Sequence, residues 1–485
     1  MPLKRNFLSI ERRRFLTGAM STAVGLLGGT AAHAQTDTSA RVAVAYEQAG
    51  REIPPDFVGL SCESAILQAG RYFAPDNASV LGLIRALGER GVIRIGGNTS
   101  EHTIWRADAR SAGSQDIVIT PADIDRLAAA LRVLGWKLIY GLNLARGTPQ
   151  QAADEAAYVA RAVGVNLLAL QIGNEPDGFG RWTAVRAKSY DFAAFLGEWR
   201  KFHAAIRAQV PDARFAGPDV AGATDWVAAL AQERPDGLTL LTHHYYADGP
   251  AGAPHVTLAR LLHSNRQALP VLEQLADYSR RYRLPHRIVE ANSVYDEGQP
   301  GVSDTLGAAL WALELMFELA AAGAGGVNFH AGVHNLRASE DKAYTPIARS
   351  GNGRYRAAPL YYGMLAFAQA ARGILVPVRI SPASDDLRAY AVRASDKTQR
   401  VVVINKDVRD GVELKIDPGP DRVTAATLAR LAGPSIDATK GITLGGANVD
   451  DFGQWTPAQQ EAPVTGNEIT VDLPAASAVI VTTTR

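Results

Sequence analysis

Leu167-Leu168-Ala169-Leu170-Gln171-Ile172-Gly173-Asn174-Glu175-Pro176 is a short apolar run that stops on an amide, a carboxylate and a proline. An apolar run of this length, bounded by glycine and proline, suits a strand buried on both faces, as strands of a parallel sheet are. Working outward, similar runs occur at 57–61, 92–96, 137–143, 167–173, 214–217, 238–245, 287–290 and 326–330. Stretches with apolar residues at helical spacing lie between them, at 79–89, 121–134, 151–163, 190–209, 224–231, 269–282 and 304–322, with a final helix expected at 360–371. Eight strand-and-helix repeats predict an α/β fold, a (β/α)8 TIM barrel over residues 53–371, rather than an open doubly wound sheet.

After Arg372 the texture changes to short alternating runs at 375–380, 387–392, 401–405, 412–416, 425–429, 469–471 and 478–482, separated by Gly, Pro, Asn and Asp. This pattern predicts a C-terminal antiparallel β-sandwich domain over 372–485. Within the N-terminal segment 35–52, residues 41–46 also alternate and are expected to add a strand to that sandwich.

The chain has 485 residues, 47% hydrophobic and 20% charged, which excludes a disordered polymer and suits two globular domains. Glu11-Arg12-Arg13-Arg14-Phe15-Leu16, an apolar stretch at 19–27 and Ala32-His33-Ala34 read as a twin-arginine-like signal peptide over 1–34. The expected location is therefore periplasmic or secreted, with no membrane attachment after signal removal. The stretch is shorter than the ~20 residues that span a bilayer. Loss of residues 1–34 takes away five basic residues against Glu11 and moves the formal charge from +1 to −3. That balance argues against a nucleic-acid partner, which calls for a basic footprint. The single cysteine, Cys62, excludes an intramolecular disulfide and reads as a packed core thiol.

Polar residues close several of the apolar runs: Ser61, Asn98, Asn143, Asn174-Glu175, His243-His244-Tyr245, Glu290 and Asn328. In a closed parallel barrel these gather at the C-terminal rim, where such folds keep their chemistry. Two carboxylates, Glu175 on the fourth strand and Glu290 on the seventh, supply what glycosidic bond cleavage needs. One protonates the leaving oxygen; the other attacks the sugar carbon or orients water, according to a separation of ~5–10 Å. The competing readings are a helix cap for Glu175 and a buried ion-pair partner for Glu290. Pro176 is expected to press Glu175 into extended geometry. Successive His243 and His244 point to opposite faces of a strand and cannot chelate one ion together, so no metal is expected, and no cofactor. Gly323 to Gly326 lacks phosphate-loop spacing and reads as a helix-to-strand turn.

Four motifs in order, Gly59-Leu60-Ser61-Cys62-Glu63-Ser64, Arg94-Ile95-Gly96-Gly97-Asn98-Thr99-Ser100, Gln171-Ile172-Gly173-Asn174-Glu175-Pro176 and Val289-Glu290-Ala291-Asn292, resemble glycoside hydrolase family 79 of clan A, the β-glucuronidase and heparanase family. The resemblance implies a retaining mechanism with Glu290 as nucleophile and Glu175 as acid/base, and Asn174 on the sugar 2-hydroxyl. It also implies a glucuronate-binding loop with Tyr295 and Gly298, a further contact from Tyr344, and Tyr245 beside the nucleophile. Glu63, Ser64, Gly97 and Asn98 would line the far side of the sugar, although a salt bridge to Arg94 is the plainer role for Glu63. His330 and His334 are expected as hydrogen-bond partners.

The resulting expectation is a retaining exo-β-glucuronidase acting on a carbohydrate that contains glucuronic acid. The alternatives are an endo-acting, heparanase-like enzyme, another clan A glycosidase such as an arabinofuranosidase or xylosidase, and a non-catalytic glycan-binding protein. The segments 250–256 and 337–342 are the loops expected to decide between exo and endo action.

Overall fold

The computed structural model describes residues 39–69, 71–108, 117–331, 341–351, 353–394, 398–420 and 422–484. The signal sequence expected at 1–34, His334 and most of the 337–342 segment lie outside them.

Eight parallel strands close into a barrel: Val58–Glu63, Val92–Gly96, Lys137–Leu142, Leu167–Ile172, Phe215–Val220, Leu238–Asp248, His286–Val294 and Val327–Ala331. Each corresponds to one expected strand, and the helices between them fall where the periodicity places them. The helix Pro149–Val163 illustrates why. Thr148 accepts from the Gln151 N–H at 3.2 Å, Gln151 returns its Oε1 to the Thr148 N–H at 3.2 Å, Pro149 opens the first turn, and Gly164 ends it. Its buried Ala152, Ala153, Ala156, Val159 and Val163 fall on one stripe that faces the barrel.

Inside the barrel, Val92, Ile139, Ala169, Ala216, Leu240 and Val289 form a small apolar plug. Above it the inward positions turn polar, with Ser61, Arg94, Gln171, Thr242 and His330 all buried. Strand alternation thus makes a dry floor under a polar mouth.

The antiparallel sheets follow as a β-sandwich. One contains Ser39–Val44, Val378–Ser381, Val412–Asp417 and Glu468–Leu473; the other contains Arg51–Glu52, Gly373–Val376, Leu387–Ala394, Gln399–Asn405, Ser477–Thr484 and Ala425–Ala432. Val42, Leu414, Ile416, Val401, Val403, Val471, Val479 and Val481 interlock between them. The strand Ser39–Val44 lies in the first sheet, antiparallel to Val378–Ser381 and parallel to Val412–Asp417. The single strand expected at 375–380 is two strands, one in each sheet. Pro377 has no N–H to donate, so the ladder breaks there and the chain changes sheets.

The helix Leu306–Ala322 is buried almost all round because it lies between barrel and sandwich. Phe317 stacks on Tyr390 at 4.6 Å, and Glu314 meets Lys406 at 2.9 Å and Arg388 at 3.1 Å. No helix among the described residues is long and apolar enough to cross a membrane.

Candidate active site

Glu175 follows the fourth strand and Glu290 lies within the seventh. A carboxylate oxygen of each, with a ring nitrogen of His244, all lie within 4.8 Å of one another. Two backbone irregularities aim them. At the seventh strand the register slips between Ile288 and Ala291 against the eighth strand, and the same extra residue, Val289, falls opposite His243/His244 of the sixth. Ile288 and Ala291 join the outer core while Val289 faces the barrel interior, so the bulge lets Glu290 face inward as well.

At Glu175 the expectation of extended geometry is overturned: φ is 49° and ψ 49°, a left-handed conformation. The Glu175 N–H donates to the Asp219 carbonyl at 2.8 Å and its own carbonyl accepts from Gly178 at 2.8 Å, and these bonds outweigh the local preference. Such a conformation stores ~1–3 kcal/mol at a non-glycine residue. The Glu175 side chain makes no cap bond to the following turn.

Arg94, fully buried on the second strand, organises the floor. Its guanidinium donates to Glu290 Oε2 at 2.7 Å, Asp219 Oδ2 at 2.6 Å, Asn174 Oδ1 at 2.7 Å, Ser61 Oγ at 3.2 Å and Gln171 Oε1 at 3.2 Å. Tyr246 donates its hydroxyl to the other oxygen, Glu290 Oε1, at 2.8 Å. His244 bridges Glu175 Oε1 at 2.9 Å and Asp219 Oδ1 at 2.8 Å.

The two carboxyls therefore titrate apart. Burial pushes both up. At Glu290 the positive fields of His330, His244 and Arg94 overcome burial and bring it down to about 2. His330 is itself held below its ordinary value by burial, so near neutrality the cations facing Glu290 are Arg94 and His244. At Glu175 burial prevails over the His244 hydrogen bond, the charge of Glu290 adds to it, and the carboxyl is held above its usual range. Burial disfavours a charged His244, yet Asp219 and Glu290 raise it to about 10. One carboxyl is pulled down and its neighbour pushed up, the opposed directions expected of a nucleophile and an acid.

The remaining expected residues gather around this centre. Asn174 has its Oδ1 held by Arg94, so its amide nitrogen faces outward and donates to Asn98 Oδ1 at 3.2 Å. Gly97 has φ 72°, and a Cβ there would lie 2.5 Å from Glu63 Oε2, so only glycine fits. Ser64, the residue after Glu63, is buried. The salt bridge between Glu63 and Arg94 is not the one formed. Arg94 is committed to Glu290 and Asp219, and Glu63 accepts from the Thr99 N–H at 2.8 Å and its hydroxyl at 2.7 Å, and lies 3.5 Å from His330 and 3.7 Å from Lys342.

Tyr245 requires a correction. It packs toward the outer core, and the hydroxyl on Glu290 is that of Tyr246, because the sixth strand alternates without a break from Leu240 in the interior plug through Thr242 and His244 to Tyr246. The Tyr246 ring lies 6.4 Å from Tyr295 and 6.2 Å from Tyr344. Gly298, at φ 81°, sits so near that a Cβ would be 2.7 Å from the Tyr344 nitrogen. Tyr295, Gly298 and Tyr344 thus form one wall with Tyr246. Pro250–Val256 adjoins that wall: Ala251 donates to the Tyr295 carbonyl at 3.2 Å and Gly252 to Gln299 Oε1 at 2.9 Å.

Sequence reasoning missed Asp219, Tyr246 and Lys342, and gave Arg94 the wrong partner. Only strand parity could have pointed to Tyr246. Glu175, His244 and Glu290 are close enough to hold a cation together, but both His244 nitrogens and one Glu290 oxygen are already engaged with Glu175, Asp219 and Arg94.

The family model described as the glycosyl hydrolase family 79 C-terminal beta domain matches residues 389–480. A β-glucuronidase of Aspergillus niger is 24% identical over 504 residues, spanning 91% of this chain and 92% of its own. A β-glucuronidase of Neurospora crassa is 27% identical over 374 residues, spanning 66% of this chain and 65% of its own. The solved structure of a 4-O-α-L-rhamnosyl-β-D-glucuronidase from Fusarium oxysporum superposes with a TM-score of 0.74 at 19% identity, over 92% of this chain and 99% of that one, a likeness of fold.

Proposed function

We propose, on the premise that this chain belongs to glycoside hydrolase family 79, that it is a retaining exo-β-glucuronidase that removes terminal β-linked glucuronic acid from glycans by double displacement. The observation that carries the reading is the approach of Glu175 and Glu290 oxygens to within 4.8 Å. Retaining enzymes hold their carboxyls ~5–5.5 Å apart, while inverting ones leave ~6.5–9.5 Å for a water.

Glu290, held ionised by Arg94 and His244, attacks the anomeric carbon while Glu175 delivers its proton to the leaving oxygen. Esterification removes the negative charge of Glu290, one of the causes that keeps Glu175 protonated, so Glu175 then takes a proton from water. The Asn174 amide, its oxygen fixed on Arg94, offers N–H to the sugar 2-hydroxyl. Tyr295, Tyr344 and the backbone at Gly298 receive the substrate carboxylate, whose charge favours phenolic and backbone donors. The names of the Aspergillus and Neurospora relatives support a glucuronide substrate. The wall made by Pro250–Val256 and Tyr295 supports attack at chain ends. The sequence of residues 1–34 supports export to the periplasm or beyond.

Hydrolysis of an aryl β-D-glucuronide followed by NMR tests this reading: β-glucuronic acid is the first product. The α-anomer appearing first overturns retention. Turnover of the aryl arabinofuranoside or xyloside in its place overturns the substrate, and internal scission of size-profiled heparan sulfate overturns exo action.

A further inference from the structure

Asp219, the penultimate residue of the fifth barrel strand, has its polar groups committed to the machinery around the two carboxyls. Its Oδ2 accepts from Arg94 at 2.6 Å. Its Oδ1 accepts from Gln171 Nε2 at 2.6 Å and faces His244 Nε2 at 2.8 Å. Its N–H donates to Thr242 Oγ1 at 3.0 Å, and its carbonyl accepts from the Glu175 N–H at 2.8 Å. The residue is wholly buried and, like Glu175, sits at a positive φ, 64°, a conformation kept only where the surroundings over-determine it.

We propose that Asp219 is a positioning residue for both catalytic carboxyls, acting on Glu290 through Arg94 and on Glu175 through His244 and the Glu175 backbone. The proposal rests on the reading of Glu175 as acid/base and Glu290 as nucleophile.

The proton accounting follows from the donors. Burial would raise Asp219, but Arg94 and His244 prevail and keep it ionised. A carboxylate only accepts, so His244 Nε2 carries a hydrogen. With His244 cationic, Nδ1, 2.9 Å from Glu175, carries a hydrogen as well and donates to a Glu175 oxygen, the carbonyl oxygen of the acid or either oxygen of the carboxylate. The imidazolium thus stays bonded to Glu175 through both halves of the cycle, held charged and in place by Asp219. The charged and titratable groups facing this assembly are Arg94 from the second strand, Glu101 after it, Asp177 after the fourth, His243 and Tyr246 from the sixth and Glu290 from the seventh. Deleting one negative charge beside His244 weakens the hold of the Glu175–His244 pair on its protons, so protonation of the pair is lost at lower pH.

Asp219→Asn tests this. The expected result is a loss of about 10²-fold in kcat on an aryl β-glucuronide near neutrality, with KM little changed and the basic limb of the pH profile displaced acidward by about one pH unit or more. The loss shrinks but persists on a dinitrophenyl leaving group, which needs less proton donation, because the arm through Arg94 is still broken. Limbs that superimpose on those of the wild type, or a loss that vanishes entirely on the dinitrophenyl substrate, overturn the two-armed role. Should the variant not fold, 15N-imidazole NMR of the wild type answers instead, with the His244 signal identified by its absence from His244→Gln. Nε2 remains protonated across the active pH range; an unprotonated Nε2 overturns the proposal. Failure of the wild type on the glucuronide sinks the substrate reading alone, since the Asp219 comparison can be run on whichever aryl glycoside the wild type cleaves.

Discussion

Two buried charge clusters in this molecule are near mirror images. At the barrel mouth one cation, Arg94, is clasped between two carboxylates, Asp219 and Glu290. Between barrel and sandwich one carboxylate, Glu314, is clasped between two cations, Lys406 and Arg388. The second sits in a regular helix and closes on itself, with Lys406 also donating to the Leu262 carbonyl at 2.8 Å. The first sits among strained backbone at Glu175 and Asp219, and one of its carboxylates stays 9% exposed at the mouth. Both clusters must offset a desolvation cost of several kcal/mol per ion. The difference teaches that burying charge does not mark a site. An exposed reactive edge, a neighbour titrating the other way and a strained support mark it.

The comparison breaks most sharply at Glu290. Glu290→Gln keeps a hydrogen-bonding side chain on Arg94 and Tyr246 but removes the nucleophile, and turnover is expected to fall by about 10⁴-fold or more. Steady-state rates on an aryl β-glucuronide check it, and activity near the wild-type level denies Glu290 that role. Glu175→Ala comes next, with a loss of about 10²–10⁴-fold that is largest for poor leaving groups. On an activated leaving group, azide restores turnover by replacing the water that Glu175 would deprotonate. Absence of any azide effect counts against Glu175 as acid/base.

The interface cluster answers to a different measurement. Glu314→Ala leaves Lys406 buried without its carboxylate and is expected to cost about 3–5 kcal/mol in urea unfolding, while kcat per folded molecule stays within about twofold. A matching fall in kcat with stability intact would erase the distinction between the two clusters. Replacing Glu314 by Leu together with Lys406 by Met should recover most of the loss, since no charge is then stranded.

How much of this was legible in the sequence depends on which neighbours a contact needs. The eight strands and both carboxylates could be read because each is a local pattern: an apolar run, its end, and a polar residue there. Strand order then placed Glu175 and Glu290 at one rim. What could not be read is angular. Arg94 meets Asp219 and Glu290 across the barrel, 125 and 196 residues away, and nothing in its own motif distinguishes them from Glu63, one strand over. Tyr246 was lost to Tyr245 because a strand buried on both faces through its middle gives no polar alternation to show which of two neighbouring tyrosines points inward. Asp219 lies one residue from its strand's end and, by sequence, looks like any loop aspartate. Pro377 could have been read, since a proline in the middle of one expected strand, 375–380, is a place for the ladder to part.

The smallest expected effect also sharpens the contrast within the mouth itself, between its buried and exposed phenols. Tyr344 is 3% exposed and Tyr295 is 42% exposed, and both rings touch Tyr246. A hydrogen bond to a charged ligand group is worth ~1.5–3 kcal/mol when desolvated, and less where water competes. Tyr295→Phe is therefore expected to lower kcat/KM on the glucuronide by about fivefold to tenfold and to leave the matched glucoside nearly unchanged. Tyr344→Phe should discriminate between the two substrates more strongly, because no water can stand in for its hydroxyl. Equal losses on glucuronide and glucoside for Tyr295→Phe would remove that residue from carboxylate recognition and leave it as a packing partner of Tyr246 and Gly249, which its ring already touches.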